Sequence, residues 1–400
     1  MRIGVSGPFN PNTIKDFLED VNLPVINVEA TAVNTLVREF LLEGHSLTIF
    51  TLSYSNPQNY RVLKGKNVVI HLVPTGLIPK VFGSHQMVVG PLFLPKRIAS
   101  IIGKHLNEID VLHAHWTYEY AKAVSFFSHK IPVFDTVRDW CPYQRTLMKG
   151  RYRIDWELKY FLFKQVMSDD RITFIANSPY TQSMINGSYP QKKAPIIPNP
   201  IDKSWIIEKK NNVSKHQIIS IATGLCAPRK NIGKLVEAFN LYHETFPESK
   251  LHLVGGYEKG SPVYQEWEKK GWLTDVVFHG SLPHEQLAGL LDTMTFMVHP
   301  ALEETFGNIL LEAMSRGVPC IGGINSGAVP QVLGNGQFGL VCDISDSESI
   351  LKSMMEINKV ETYERIQKQA TNMLKLSYSS DVVVQKHIAL FQSVINQKER

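Results

Sequence analysis

Short apolar runs alternate with amphipathic segments along the whole chain, the arrangement expected of parallel sheets built from βαβ units. In the first half the runs 2–6, 46–51, 67–73, 111–114, 132–137 and 172–176 read as strands. Val33, Leu36, Val37, Phe40 and Leu41 recur at helical spacing and predict a helix over 32–43, with Gly44 placed to end it. After Pro198 and Pro200, a polar run at 208–216 interrupts the pattern and marks a boundary. The second half then restarts it. Strands are expected at 218–222, 250–254, 276–278, 295–299 and 319–322, and helices at 232–246, 263–270, 283–292 and 308–316. The tail from 345 onward reads as helical throughout. Its last segment carries Val383, Val384, His387, Ile388, Phe391 and Ile395 as one apolar stripe that must dock. The expected fold is α/β: two Rossmann-like, doubly wound domains facing a cleft, residues 1–202 and 203–377. The helical C-terminal tail, 378–400, returns to the first domain.

The chain has 400 residues, 44% hydrophobic and 20% charged, which fits an ordinary globular protein and excludes disordered or fibrous classes. Its four cysteines, Cys141, Cys226, Cys320 and Cys342, form no CxxC pair, which argues against a zinc ribbon and fits a reducing cytosol. The N-terminus runs directly into a strand without signal-peptide regions, and no stretch suffices to span a bilayer. A soluble, cytoplasmic protein is expected. Charge is uneven: residues 1–200 hold 22 Lys and Arg against 15 Asp and Glu, and no carboxylate occurs between Gly44 and Asn107. Such a basic half reads either as a solvated face or as one drawn to an anionic membrane surface on the cytoplasmic side. The segments 76–97 and 151–164, which mix large apolar residues with cations, admit the same two readings.

The most informative stretch is Val298 to Ala313. A buried strand ends at Pro300, a loop carries Glu303 and Glu304, Phe306-Gly307 makes a tight turn, and a helix begins near Asn308. Ligands in open α/β sheets sit at the carboxyl ends of strands, where this loop lies. A helix N-terminus suits a diphosphate. Glu304 before the helix and Glu312 two turns along it are carboxylates able to accept hydrogen bonds from the hydroxyls of a sugar or ribose.

Glu304-Thr-Phe-Gly-Asn-Ile-Leu-Leu-Glu312-Ala resembles the Glu-x7-Glu signature of glycosyltransferase family 4, the group 1 retaining enzymes of GT-B fold. Gly224-Leu-Cys-Ala-Pro-Arg229-Lys230-Asn-Ile resembles the family's Gly-Arg-Leu-x-Pro-Glu-Lys-Gly element. Leu253-Val-Gly-Gly256, Val277-Phe-His-Gly280, Gly317-Val-Pro319 and Gly339-Leu-Val341 follow in order. Asp110-Val-Leu-His-Ala-His115-Trp116 and Ile197-Pro-Asn-Pro-Ile-Asp202 match the first half and the hinge. The resemblance implies that Glu312 binds the ribose hydroxyls and Glu304 the donor sugar. It implies that Lys230 neutralises the departing diphosphate, helped by the amides of Phe306, Gly307, Asn308 and Ile309. Arg229 and Gly224 belong to the same donor-binding element. The acceptor would meet Gly7, His115 and Trp116. No cofactor and no metal are expected, and no Asp-x-Asp occurs; Asp343-Ile-Ser-Asp346 has the wrong spacing.

Four departures from the family pattern bear on the chemistry. The diphosphate-binding Arg falls at Leu225, with Arg229 close by. The His-Asp after the fifth strand reads Arg138-Asp139, and both are candidate catalytic residues; an arginine there could clamp a phosphate or acidic sugar but cannot titrate as histidine does. The N-terminal Gly-Gly loop is missing around 27–31, and a glutamine, Gln331, stands where the family has glutamate. His113 and His115 would share a strand face, which admits a metal-pair reading, but no third ligand lies at suitable spacing.

The reading is a hexosyltransferase moving a sugar from a UDP-, GDP- or similar nucleotide diphosphate sugar to a glycan or lipid-linked saccharide acceptor, in surface polysaccharide biosynthesis, without nucleic-acid partners. Its alternatives are an inactive nucleotide-sugar-binding scaffold, or a sugar-nucleotide epimerase of the same fold.

Overall fold

A computed structural model of the chain describes residues 1–20, 22–23, 30–53, 58–76, 90–207 and 215–398. Most of the expected boundary run (208–214), the 27–29 part of the N-terminal loop and residues 77–89 of the apolar, basic segment lie outside the described residues. The chain divides into two compact units, 1–200 with 383–400, and 201–382.

The first unit holds a seven-stranded sheet: β1 (Arg2–Ser6), β2 (Ser46–Ser53), β3 (Arg61–Gly65), β4 (Val68–Pro74), β5 (Val111–His115), β6 (Val133–Val137) and β7 (Ile172–Ala176). Their order is β3-β4-β2-β1-β5-β6-β7, parallel except for β3, which runs against β4. The central strands are buried on both faces, so they read as unbroken apolar runs rather than alternating ones. The edge strand β3 was not expected. Its run Arg-Val-Leu-Lys-Gly buries only Leu63, so its pairing to β4 rather than its hydropathy defines it. The Thr31–Leu42 helix ends with Gly44 at φ +81°, a conformation L side chains rarely adopt.

The second unit holds an all-parallel six-stranded sheet: β8 (Gln217–Ile221), β9 (Lys250–Val254), β10 (Val276–Gly280), β11 (Phe296–His299), β12 (Cys320–Gly323) and β13 (Leu340–Cys342). The order is β10-β9-β8-β11-β12-β13. Helices cover both faces of each sheet, giving every unit two apolar layers. Both units are Rossmann-like, doubly wound domains.

The tail is not one continuous helix. It consists of helices Ser347–Ile357 and Val360–Met373, a π-helical turn Leu374–Tyr378, and helix Ser380–Lys398. Asp346 caps the first by accepting the N–H groups of Glu348 and Ser349. The apolar stripe of the last helix docks on the first unit, where Val383, Val384, Ile388 and Phe391 are buried. Phe391 lies 4.5 Å from the ring of Phe134. His387 of the same helix is buried beside His113, ring centroids 5.0 Å apart.

Burial holds His387 at about 3 and His71 at about 4, and keeps His113 and His115 well below the ordinary histidine value of 6.5. Below that value the unfolded chain takes up protons that these folded imidazoles refuse, so stability falls as pH drops from 6.5 toward the depressed values. Asp135, pushed up to about 7 by burial, and Glu119, also raised by burial, oppose this, but the lowered imidazoles, His252 at about 4 among them, outnumber them. The melting temperature is therefore expected to fall between about pH 7.5 and about pH 4.5, and His387→Gln to flatten the curve. Circular-dichroism melts across that range check it; an unchanged melting temperature contradicts it.

Candidate active site

In the second sheet the chain order reverses between β8 and β11: β9 and β10 lie on one side of that pair, β12 and β13 on the other. Loops leaving two such neighbouring strands diverge and open a crevice at their carboxyl ends. The loop after β8 begins with Gly224 at φ +77°, whose carbonyl accepts the Ala227 N–H at 3.0 Å. A 3-10 turn, Pro228–Lys230, follows, and Asn231 at φ +53° turns the chain into the Ile232–Thr245 helix. The Asn231 amide nitrogen donates to the Ile344 carbonyl at 2.7 Å and fixes that turn.

The loop after β11 is tied to this one. The Leu302 N–H donates to the Arg229 carbonyl at 2.9 Å, and the Glu304 carbonyl accepts the Ala328 N–H at 2.9 Å. With its main chain held from both directions, Glu304 meets Lys230, whose Nζ donates to Glu304 Oε1 in a largely buried ion pair. His299, the last residue of β11, brings Nε2 to 3.5 Å from the same carboxylate oxygen. Burial opposes ionisation of Glu304, but the His299 imidazole and the Lys230 ammonium outweigh it and hold the carboxyl at about 2. This side chain stays an anion across the physiological range.

Phe306 is buried against Tyr378, and Gly307, at φ +85°, starts the Asn308–Ser315 helix. Only a residue tolerating that dihedral lets the chain enter the helix so abruptly. Glu312 lies on this helix with its side chain only 9% exposed. His284 Nε2 lies 3.9 Å from Glu312 Oε1, beyond hydrogen-bond range. His284 in turn stacks on Trp205, ring centroids 3.8 Å apart. The described residues thus give the Glu312 carboxylate no hydrogen-bond donor, which leaves its oxygens to solvent or to a ligand's hydroxyls.

Lys230, Glu304, Gly224, Arg229, Phe306, Gly307, Asn308, Ile309 and Glu312 therefore all lie on the two loops at this reversal or on the helices they open. Leu225, at the family's arginine position, is a core residue, and its N–H donates to the Gly256 carbonyl. The half-buried Arg229 is the other cation of that loop, and the described residues give its guanidinium no hydrogen-bond or ion-pair partner. Asp343 and Asp346 are spent on local turns and on a helix cap. Among the described residues, no group of three or more His, Cys, Asp or Glu could hold a metal ion.

The remaining candidates gather in the first unit, where the chain order reverses between β1 and β5. Gly7 follows β1, and a Cβ there would lie 3.1 Å from His115 Cβ at the end of β5. Arg138 donates to the Asn199 side-chain carbonyl and reaches His115 Nδ1 through Nη2 at 3.1 Å. Burial lowers the Arg138 guanidinium to about 10. His115 is fully buried, not an open lining residue, so Trp116 is the more accessible of the two. Trp116 sits at φ +71°, a strained conformation for a bulky residue. Asp139 accepts the Tyr118 hydroxyl at 3.3 Å.

Sequence reasoning assigned no role to His299, His284 or Trp205. His299 had a signal: a polar residue at the end of an apolar strand, just before Pro300. The pairing of Trp205 with His284 joins positions 79 apart and has none.

The family description "Glycosyl transferases group 1" matches residues 203–373, and "Glycosyltransferase Family 4" matches residues 30–205. The chain belongs to the group 1 glycosyltransferases of family 4. It is 23% identical to N-acetyl-alpha-D-glucosaminyl L-malate synthase of Bacillus anthracis over 320 residues, 76% of this chain and 79% of that one. Among solved structures, sucrose-phosphate synthase of Thermosynechococcus elongatus superposes with a TM-score of 0.77 at 15% identity, covering 99% of this chain and 100% of the other. An Anabaena protein solved with UDP and glucose gives 0.65 at 15% identity, covering 98% and 100%.

Removing one partner of the Lys230–Glu304 pair leaves a mostly buried charge uncompensated. Lys230→Met and Glu304→Gln are each expected to cost on the order of 3 kcal/mol, and the double variant less than the sum of the two. Urea titration monitored by tryptophan fluorescence measures this; simple additivity contradicts it.

Proposed function

We propose that the protein is a retaining, metal-independent hexosyltransferase that takes a nucleotide diphosphate sugar as donor and a glycan or lipid-linked saccharide as acceptor, in surface polysaccharide assembly. The observation that carries this reading is the nearly buried Glu312 carboxylate with no donor from the described residues, on the helix opened by Gly307. Two adjacent hydroxyls of a ribose would satisfy it. Lys230, beside Glu304, meets the diphosphate as the bond to the sugar breaks and negative charge gathers on the leaving oxygen. Glu304, held ionised, faces the cationic character that develops on the sugar. The acceptor hydroxyl then bonds to the anomeric carbon, and its proton passes to the departing diphosphate. With an ammonium and main-chain amides serving the leaving group, the scheme calls for no metal.

In this reading the first unit holds the acceptor around Gly7 and Trp116. Arg138 positions His115, and Asp139 acts with them. No helix among the described residues is long and apolar enough to cross a membrane. Peripheral contact is supported by the exposed Leu92 and Phe93 on the Gly90–His105 helix, which also carries Lys96 and Arg97. Binding to liposomes that is indifferent to anionic lipid would count against that contact.

A thermal-shift screen of nucleotide sugars, followed by transfer assays with those that bind, tests the donor assignment. Glu312→Ala is expected to weaken donor binding about tenfold to a hundredfold, and Lys230→Ala to lower kcat by about two to three orders of magnitude. Near-wild-type values in both variants reject the site. Turnover of the donor sugar without any acceptor would instead favour an epimerase, and binding with no turnover a scaffold.

A further inference from the structure

We propose that His299 is the counter-ion that takes over Glu304 when Lys230 moves to a donor diphosphate, so that donor binding is coupled to uptake of a proton by the His299–Glu304 pair. The inference rests on the donor-site reading above and adds a residue and a linkage to it. In the structure Lys230 and His299 address the same oxygen, Glu304 Oε1. One ammonium cannot serve that carboxylate fully and also neutralise an arriving diphosphate. When Lys230 donates to phosphate oxygens, Glu304 is left mostly buried without its strongest partner, a strongly unfavourable state.

His299 is built to fill the vacancy. It is 2% exposed, ends β11, and is held by pairing with Gly322 of β12. Neither of its ring nitrogens makes a hydrogen bond to a described residue, and Nε2 already stands 3.5 Å from Glu304. The imidazole needs to move only tenths of an ångström to donate to that oxygen. The diphosphate brings about two negative charges to the site, which favours the protonated form of a nearby imidazole. The proton comes from solvent and its buffer onto the ring, and no covalent bond between heavy atoms changes.

The surroundings leave few competitors. The groups facing the imidazole are Glu304 and, across that carboxylate, Lys230. Glu303, in the same loop, has interactions of its own. β8 carries no titratable side chain, and β12 contributes only the Cys320 thiol, which burial pushes up. The Asn308–Ser315 helix contributes Glu312, which faces His284 at 3.9 Å.

Isothermal titration of the full-length protein tests the linkage. UDP-glucose, GDP-mannose and ADP-glucose are the probes, because their diesterified diphosphates exchange no proton near neutrality. For each one that binds, the enthalpy is measured in phosphate, HEPES and Tris at several values between about pH 6.5 and about pH 8.5; its slope against buffer ionisation enthalpy counts protons. The expected maximum is an uptake of about half to one proton per donor in the wild type. In His299→Asn and His299→Gln it should fall to less than about a fifth of that, with measurable binding retained. Lys230→Met, in which no cation is displaced, should likewise lower it. Binding with zero slope throughout the range, or slopes unchanged in both His299 variants, overturns this inference while leaving the donor site standing. Failure of all three probes to bind overturns the donor-site reading and this inference with it.

Discussion

The second unit's chemistry depends on one ion pair, Lys230 with Glu304, brought together by the topology of the sheet rather than by proximity in sequence. The residues are 74 apart. They meet because β8 and β11 are neighbours whose following connections leave in opposite directions. A hydrogen bond between the loops, from the Leu302 N–H to the Arg229 carbonyl, then sets their separation. Glu304 is anchored further by its pairing with Gly327. A lysine and a glutamate held this way are mutually neutralised, and the tied loops keep both in place. The same arrangement makes the pair available to a more highly charged partner.

The first unit repeats the geometry with different chemistry. Its order reverses between β1 and β5, and the residues just beyond those strands, Gly7 and the His115–Trp116 pair, meet there as Lys230 and Glu304 do in the second. Here the polar groups are imidazoles, a guanidinium and the Asn199 amide, with few carboxylates among them. Burial disfavours the charge on the imidazoles and on the guanidinium. The terminal helix adds His387 and Phe391 to the same apolar layer, so the integrity of this end of the sheet depends on a segment nearly 400 residues along the chain.

Much of this was legible in the sequence because parallel strands buried on both faces are written as continuous apolar runs: 2–6, 172–176 and 250–254 match β1, β7 and β9 to the residue. The start of the helix at Asn308 was legible from Phe306-Gly307, since a glycine with positive φ is a local requirement. β3 and β13 were not, because their runs are not continuously buried: β3 buries only Leu63 and β13 only Cys342, so their neighbours' hydrogen bonds define them. The breaks in the tail were also missed, because amphipathic periodicity persists through short interruptions. At the site, Lys230 and Glu304 could be named from the resemblance of their segments to the family pattern, but not their direct contact. Glu312 could be named from its spacing to Glu304, but only the packing of its helix shows how little solvent its side chain sees. His299 was overlooked because a histidine in an apolar strand looks like a core residue until the loop beyond it folds back.

The most direct test of the account is a crystal structure of the protein with a bound nucleotide diphosphate sugar. The account predicts Lys230 Nζ within hydrogen-bond distance of the diphosphate oxygens, the Glu312 carboxylate on the ribose hydroxyls, and Glu304 turned to the sugar with His299 beside it. A donor bound elsewhere, with Lys230 still engaged by Glu304 and no group on Glu312, would contradict it.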